Sequence, residues 1–250
     1  MDLTGETGMK LIINADDFGL SKSITDGIVE GIKFGCITST SIMVNMPYAK
    51  YAVEKAIENN ISCVGLHINL TVGKPVTNNP NLTDENGVFI YNRKQIDRTD
   101  INYQDVYEEI CAQINLFEKY SGGKLKLDHL DTHHHLIDNP VIAQAIFDIA
   151  KKYGLPVRNW GGVPSYLKTP DFFMSDFSIK NVDYSYLKAY IKENESKNVC
   201  VELLSHPGYV DEETKTLTSY LNRDKELEIL KQAKQNGLFD GVELISFSQL

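Results

Sequence analysis

Four short stretches of the chain hold residue types that do chemistry. The first is Asn14-Ala15-Asp16-Asp17-Phe18-Gly19, directly after an apolar run. Two adjacent carboxylates at a strand end suit a division of labour in which one binds a cation and the other takes a proton. The second is Gly65-Leu66-His67-Ile68-Asn69-Leu70, a histidine at the end of another apolar run, which by itself is more often a satisfied core residue than a ligand. The third is Asp128-His129-Leu130-Asp131-Thr132-His133-His134-His135, where four of the six histidines fall within seven residues. Strand alternation carried through this stretch would set His129, Asp131, His133 and, further along, His135 on one side. Neutral imidazoles converging with carboxylates are what divalent transition metals select. The fourth is Leu204-Ser205-His206-Pro207-Gly208. Here Pro207 and Gly208 end a strand and present a histidine able to protonate a leaving group near neutral pH.

These residues need elements that bring them together. Short apolar runs alternate with amphipathic stretches along all 250 residues. Lys10–Asn14, Ile37–Val44, Ile61–Leu70, Leu125–Asp131, Val157–Trp160, Asn198–Ser205 and Val242–Ile245 read as strands. Helices are expected after Ser21 or Ser23, with Gly35 ending the first, and over Tyr48–Glu58, Asn102–Tyr120, Tyr184–Glu193 and Asp224–Gln235. Another is expected with Asn139 as cap, Pro140 at its first position and Gly154 after its end. Residues 71–100, with Pro75, Pro80 and five asparagines, and residues 161–182 interrupt the rhythm as irregular insertions, lids or binding loops by length. About seven β/α repeats without a break in composition indicate one α/β domain over residues 1–250. Its sheet is expected to be mainly parallel, in a single-domain distorted (β/α) TIM-like barrel, because all four stretches end strands and such barrels place chemistry there. No G-x-G-x-x-G follows the first strand, so a dinucleotide site has no support.

Composition narrows the partners. Lys and Arg total 25 and Asp and Glu 34, a net charge of −9, which disfavours nucleic acid. No run of eighteen apolar residues predicts a membrane span. The first residues lack the basic and apolar regions of a signal peptide, and the four scattered cysteines form no C-x-x-C pair, which points to free thiols in a cytoplasmic protein.

Taken in order, N-A-D-D-F-G, G-L-H-I-N-L, H-L-D-T-H-H-H and S-H-P-G resemble the YdjC-like carbohydrate deacetylases, a group that includes chitooligosaccharide deacetylases; the matches run from residue 11 to about 210. The resemblance implies a metal-dependent hydrolase that removes acetyl groups from a small N-acetylated saccharide, and a homodimer. It assigns Asp17, His67 and His133 to the metal, Asp16 to the general base and His206 to the general acid. Arg158 would orient Asp16 or contact substrate, and Asp131 or His129 would orient the ligands. The family implies Mg2+, whereas two imidazoles and one carboxylate suit Zn2+, nickel or cobalt better. Two other readings compete. One is a different barrel metal hydrolase, an amidohydrolase or phosphoesterase, since His133 and His135 form an H-x-H at a strand end. The other is a non-catalytic sugar- or metal-binding protein, its aromatics stacking on sugar rings.

Overall fold

The first strand shows why the chain folds as it does. In the computed structural model, which describes residues 8–90 and 99–250, β1 spans Lys10–Phe18 and is buried along nearly its whole length. Its side chains divide by alternation. Leu11, Ile13 and Ala15 belong to the main apolar core, while Ile12 joins a separate small cluster with Ile245 and Phe247, and Asn14 and Asp16 continue that second face. A strand buried on both faces needs neighbours on both edges and layers on both sides.

The neighbours are parallel. β2 (Ser39–Ile42), β3 (Val64–Ile68), β4 (Leu130–Thr132), β5 (Phe172–Met174) and β6 (Cys200–Ser205) give the sheet order β4-β3-β2-β1-β6-β5. The short β7 (Glu243–Leu244) pairs with β1 at Lys10 and Leu11, below the point where β2 takes over at Asn14. The six main strands curl into a half-barrel. Arg158, just beyond β4, closes it, reaching the β6 residue Glu202 and lying 4.9 Å over the Phe173 ring on the opposite edge strand. Parallel pairing requires crossovers. These are α1 (Lys22–Phe34), α2 (Ala49–Glu58), α3 (Tyr103–Ser121), α4 (Pro140–Tyr153), α5 (Tyr184–Asn194), the single turn α6 (Thr214–Leu217) and α7 (Arg223–Gln235).

Local signals in the sequence set the helix ends. Ser21 caps α1 through the Ile24 amide and Gly35 ends it in the left-handed region. Asn102 and Gly122 bound α3, and Asn139, Pro140 and Gly154 bound α4. Three expectations differ from the structure. Leu125–Asp131 becomes regular strand only from Leu130, although the Asp128 N–H already donates to the Val64 carbonyl at 3.0 Å and the His129 carbonyl accepts from the Leu66 N–H at 2.9 Å. Val157–Trp160 makes a single parallel bridge, Val157 to Leu130. A strand, β5, lies inside the 161–182 stretch, where Phe172 and Phe173 gave no alternation to read.

The described part of the first irregular stretch is anchored, not loose. Buried Glu109 of α3 accepts from the Val76 and Thr77 amides at 2.9 Å each and from the Thr77 hydroxyl at 2.7 Å. Residues 91–98 of that stretch lie outside the described residues. All four cysteines are free thiols, Cys36 fully buried. Among the described residues no helix is long and apolar enough to cross a membrane.

Candidate active site and metal centre

The inner face of the half-barrel is polar. Asn14 and Asp16 from β1, Ser41 from β2, His67 from β3, Asp131 from β4 and Glu202 from β6 are all buried there. Register explains the convergence: His67 pairs with Asp131 across β3 and β4, and Ile12 with Glu202 across β1 and β6. Residues paired in neighbouring strands share a face.

Asp16 and Asp17 are adjacent, so a regular strand would point them to opposite faces. A bulge removes the conflict. Ala15 pairs with Thr40 but Phe18 pairs with Ile42, so β1 carries one extra residue. Asp17 takes up the excess at φ 70°, a left-handed conformation that aspartate tolerates better than most residues. Both carboxylates then face the site.

Asp17 Oδ1, His67 Nε2 and His133 Nδ1 form a triangle. Its edges are 3.2 Å (Asp17–His133), 3.5 Å (Asp17–His67) and 3.3 Å (His67–His133). Ligands about 2.1 Å from a tetrahedral metal lie about 3.4 Å apart. Among the described residues no donor is aligned on the buried Asp17 Oδ1. An orphaned carboxylate oxygen facing two imidazole nitrogens fits a divalent cation, and these three residues form a group able to hold one.

The surroundings orient the three. His67 Nδ1 donates to Asp131 Oδ1 at 2.8 Å, which leaves Nε2 for the metal, the carboxylate–histidine arrangement common at such sites. Two nearby carboxylates, led by Asp131, outweigh burial and push the metal-free His67 up to about 10. Arg223 donates to Asp17 Oδ2 at 2.5 Å. Burial acts to raise the Asp17 carboxyl, but Arg223 and the two histidines hold it well below the usual carboxylate range.

Asp16, His67 and Asp131 make a second cluster of suitable atoms, but a cation already sits there. Arg158, fully buried, donates to Asp16 Oδ1 at 2.7 Å and Oδ2 at 2.9 Å, lies 2.9 Å from Asp131 Oδ2, and donates through Nε to Glu202 at 2.8 Å. Burial opposes ionisation of Asp16 and Asp131, yet the guanidinium brings both below their ordinary values. Burial dominates at Glu202, which is pushed up to about 7.

The histidine-rich stretch does not continue as a strand. After Thr132 the chain turns, with His134 at φ 64° and His135 at φ 52°. His133 therefore reaches the triangle from a turn. His135 sits edge-on to Phe173, and burial lowers it to about 4, a neutral imidazole. His134 stacks on His133 and contacts Thr71 at 3.0 Å. His129 lies deeper, stacked 3.9 Å from Phe247 and bonded to Asp128 at 2.5 Å; its Nε2 is 3.9 Å from Asp131. It touches no member of the triangle.

His206 follows Ser205, the β6 residue paired with Ala15, and so stands beside the two aspartates. Its loop lies flat on α1, where a Cβ on Gly27 would be 2.6 Å from Gly208 Cα. Burial lowers the His206 pKa, against the pull of Asp17 and Asp16. A cavity of about 220 Å³ opens next to His133 and His134, walled by Leu20, Val72, Leu217, Thr218 and Ser219.

Sequence reasoning missed Glu202, Arg223, Ser178 and Glu226. Glu202 had a signal, a charged residue inside an otherwise apolar strand. The other three lie in a loop or on α7 with nothing local to mark them.

With this geometry in view, comparison with known proteins is decisive. The YdjC-like protein family matches residues 10–239. The chain belongs to that family. A carbohydrate deacetylase of Listeria monocytogenes serotype 4a is 36% identical over 250 residues, 97% of this chain and 100% of the relative. A carbohydrate deacetylase of Vibrio cholerae is 35% identical over 246 residues, 97% and 96% of the two chains. Among solved structures, a fold of the same extent is seen in a protein of Enterococcus faecalis V583 provisionally assigned to cellobiose-phosphate cleavage. It has a TM-score of 0.86 and 29% identity over 96% of this chain and 98% of that one. A peptidoglycan N-acetylglucosamine deacetylase is alike in fold alone, at TM-score 0.53 and 12% identity over 94% and 85% of the chains. The distorted half-barrel also recurs in a CE4 family pseudoenzyme at TM-score 0.51 and 12% identity, over 98% and 68% of the chains.

Proposed function

We propose that this YdjC-like protein is a metal-dependent deacetylase acting on small N-acetylated sugars such as chitooligosaccharides. The observation that carries this reading is the triangle of Asp17, His67 and His133, with Asp131 fixing His67 from behind. Full-length relatives named carbohydrate deacetylases support the substrate class. So does a small cavity whose wall includes Thr218 and Ser219 beside His133.

An amide resists hydrolysis because its carbonyl is a poor electrophile and its amine a poor leaving group. A divalent cation held by Asp17, His67 and His133 would polarise the acetyl carbonyl and lower the pKa of water toward about 7. Two imidazoles and one carboxylate suit zinc or another transition ion better than magnesium. Asp16, kept unprotonated by its paired contacts with Arg158, takes the proton of the attacking water. His206 gives a proton to the sugar nitrogen as the C–N bond breaks, and acetate and a free amine leave. Arg158 is fully buried, so its part is to orient Asp16 and not to touch substrate.

Acetate release from N,N′-diacetylchitobiose by metal-stripped protein tests the reading, with zinc, magnesium, cobalt and nickel restored one at a time. Acetate is expected only with metal. Asp16→Asn is expected to keep the metal and lose at least about 100-fold in turnover, within the range for general base catalysis. Tight metal binding without acetate from any cation would refute the substrate assignment.

A further inference from the structure

Behind His206 lies a chain of buried polar groups that the reaction outlined above does not use. Ser178 Oγ is 2.7 Å from His206 Nδ1. The same hydroxyl donates to Glu226 Oε1 at 2.7 Å. Glu226 Oε2 accepts the backbone N–H of His206 itself at 2.6 Å, and the Tyr220 hydroxyl also donates to Oε1. Ser178 and Glu226 are fully buried. The Tyr220 ring meets the His206 ring edge-on at 5.5 Å.

Donor counting fixes the direction of this chain. A hydroxyl has one proton. The Ser178 proton goes to the Glu226 carboxylate, so Ser178 can only accept from His206. Nδ1 must then carry the hydrogen, which leaves Nε2 as the nitrogen that gains and loses a proton. We propose that Ser178 and Glu226 are positioning residues: a Glu226–Ser178–His206 relay that locks the ring of His206, holds its Nδ1–H tautomer and reserves Nε2 for the leaving amine. This rests on the reading of His206 as the acid in the deacetylation. The proton delivered from Nε2 leaves a neutral imidazole still bonded through Nδ1–H to Ser178, so no rotation or tautomer exchange is needed between turnovers.

Other charged or titratable groups also face His206. They are Asp16 and Asp17 from β1, Arg223 from α7 and His135 from the turn after β4. Direct contact with Nδ1 distinguishes the relay from these through-space neighbours.

The test uses a substitution that keeps shape and reverses one bond. In Glu226→Gln the amide oxygen must face the His206 backbone N–H, because an amide NH2 cannot accept it. The NH2 then faces Ser178, which must turn its own proton toward His206 Nδ1 and impose the Nε2–H tautomer. Zinc-loaded protein labelled with 15N-histidine, with the His206 signals identified by their loss in His206→Ala, reports the tautomer directly. The wild type is expected to show Nδ1–H and Glu226→Gln to show Nε2–H. kcat is expected to fall at least about 10-fold with KM within about twofold, since general acid catalysis contributes about 100-fold or more. Ser178→Ala, which only removes an atom, is expected to give mixed tautomers and a similar loss should Glu226→Gln fold poorly. An Nε2–H tautomer in the wild type would overturn the proposal. So would unchanged kcat and tautomer in both variants. Full turnover in His206→Ala, with the tautomer responses intact, would overturn it by a different route: the acid role of His206 would fail while the hydrogen-bond chain stood.

Discussion

Arg158→Met puts the interior of the half-barrel to its hardest test. The guanidinium is fully buried and contacts three carboxylates: Asp16 at 2.7 and 2.9 Å, Asp131 at 2.9 Å and Glu202 at 2.8 Å. Methionine fills much of the same volume but removes the positive charge. Deleting one member of a buried ion pair costs about 3–5 kcal/mol, because the remaining charge has neither water nor partner. Here three remain, so the loss at pH 8 is expected at or above that range, a fall in Tm of roughly 6–20 °C for a chain this size. The pH dependence has a definite sign. In the wild type, Asp16 and Asp131 have lowered folded pKa values, so the stability they contribute is present above the unfolded value and is lost as pH falls through the folded one. Without Arg158, burial dominates and their folded values rise above the unfolded ones. The penalty then grows as pH rises and shrinks as the carboxyls protonate. Urea unfolding of metal-stripped wild type and variant at pH 5.5 and pH 8 measures both terms. A difference below about 1 kcal/mol at pH 8, or one that grows on acidification, would refute the claim that Arg158 neutralises this cluster.

Three further outcomes follow from the site. Because Asp131 and Asp16 push the metal-free His67 up to about 10, metal uptake at pH 7 should release close to one proton from it, read by calorimetry in two buffers of different ionisation enthalpy; no buffer dependence would contradict the ligand role of Nε2. Arg223→Met should weaken metal binding about 10–100-fold, the usual cost of losing a group that holds a ligand in place, since Asp17 Oδ2 loses the hydrogen bond it accepts from Arg223 at 2.5 Å; competition with a chelating dye reports the affinity. Gly65→Ala should destabilise by about 1–3 kcal/mol in thermal melts, because a Cβ there would fall within the His129 ring, itself stacked on Phe247 and unable to retreat.

Much of this protein is legible in its residues because the deciding forces are local. Ser21, Asn102, Asn139 and Gly154 mark helix ends because capping bonds span only a few residues. The N-A-D-D-F-G and histidine-rich motifs pointed to a group of Asp and His side chains able to hold a metal, because cations select donor types. The apolar runs at β1, β3 and β6 predicted buried parallel strands, because both faces of such a strand must be covered. Distance in the chain hid the rest. The bulge that turns Asp17 toward Asp16 is set by pairing with β2, not by the strand's own residues. The turn at His134 and His135 broke an alternation that the sequence alone would have continued, since a strand ends where its partner does. Arg223 reaches Asp17 across 206 positions, and Glu226 reaches Ser178 across 48. Such contacts leave no periodicity to read, because a buried ion pair or hydrogen bond depends on which surfaces meet when the half-barrel closes, and only the tertiary structure decides that.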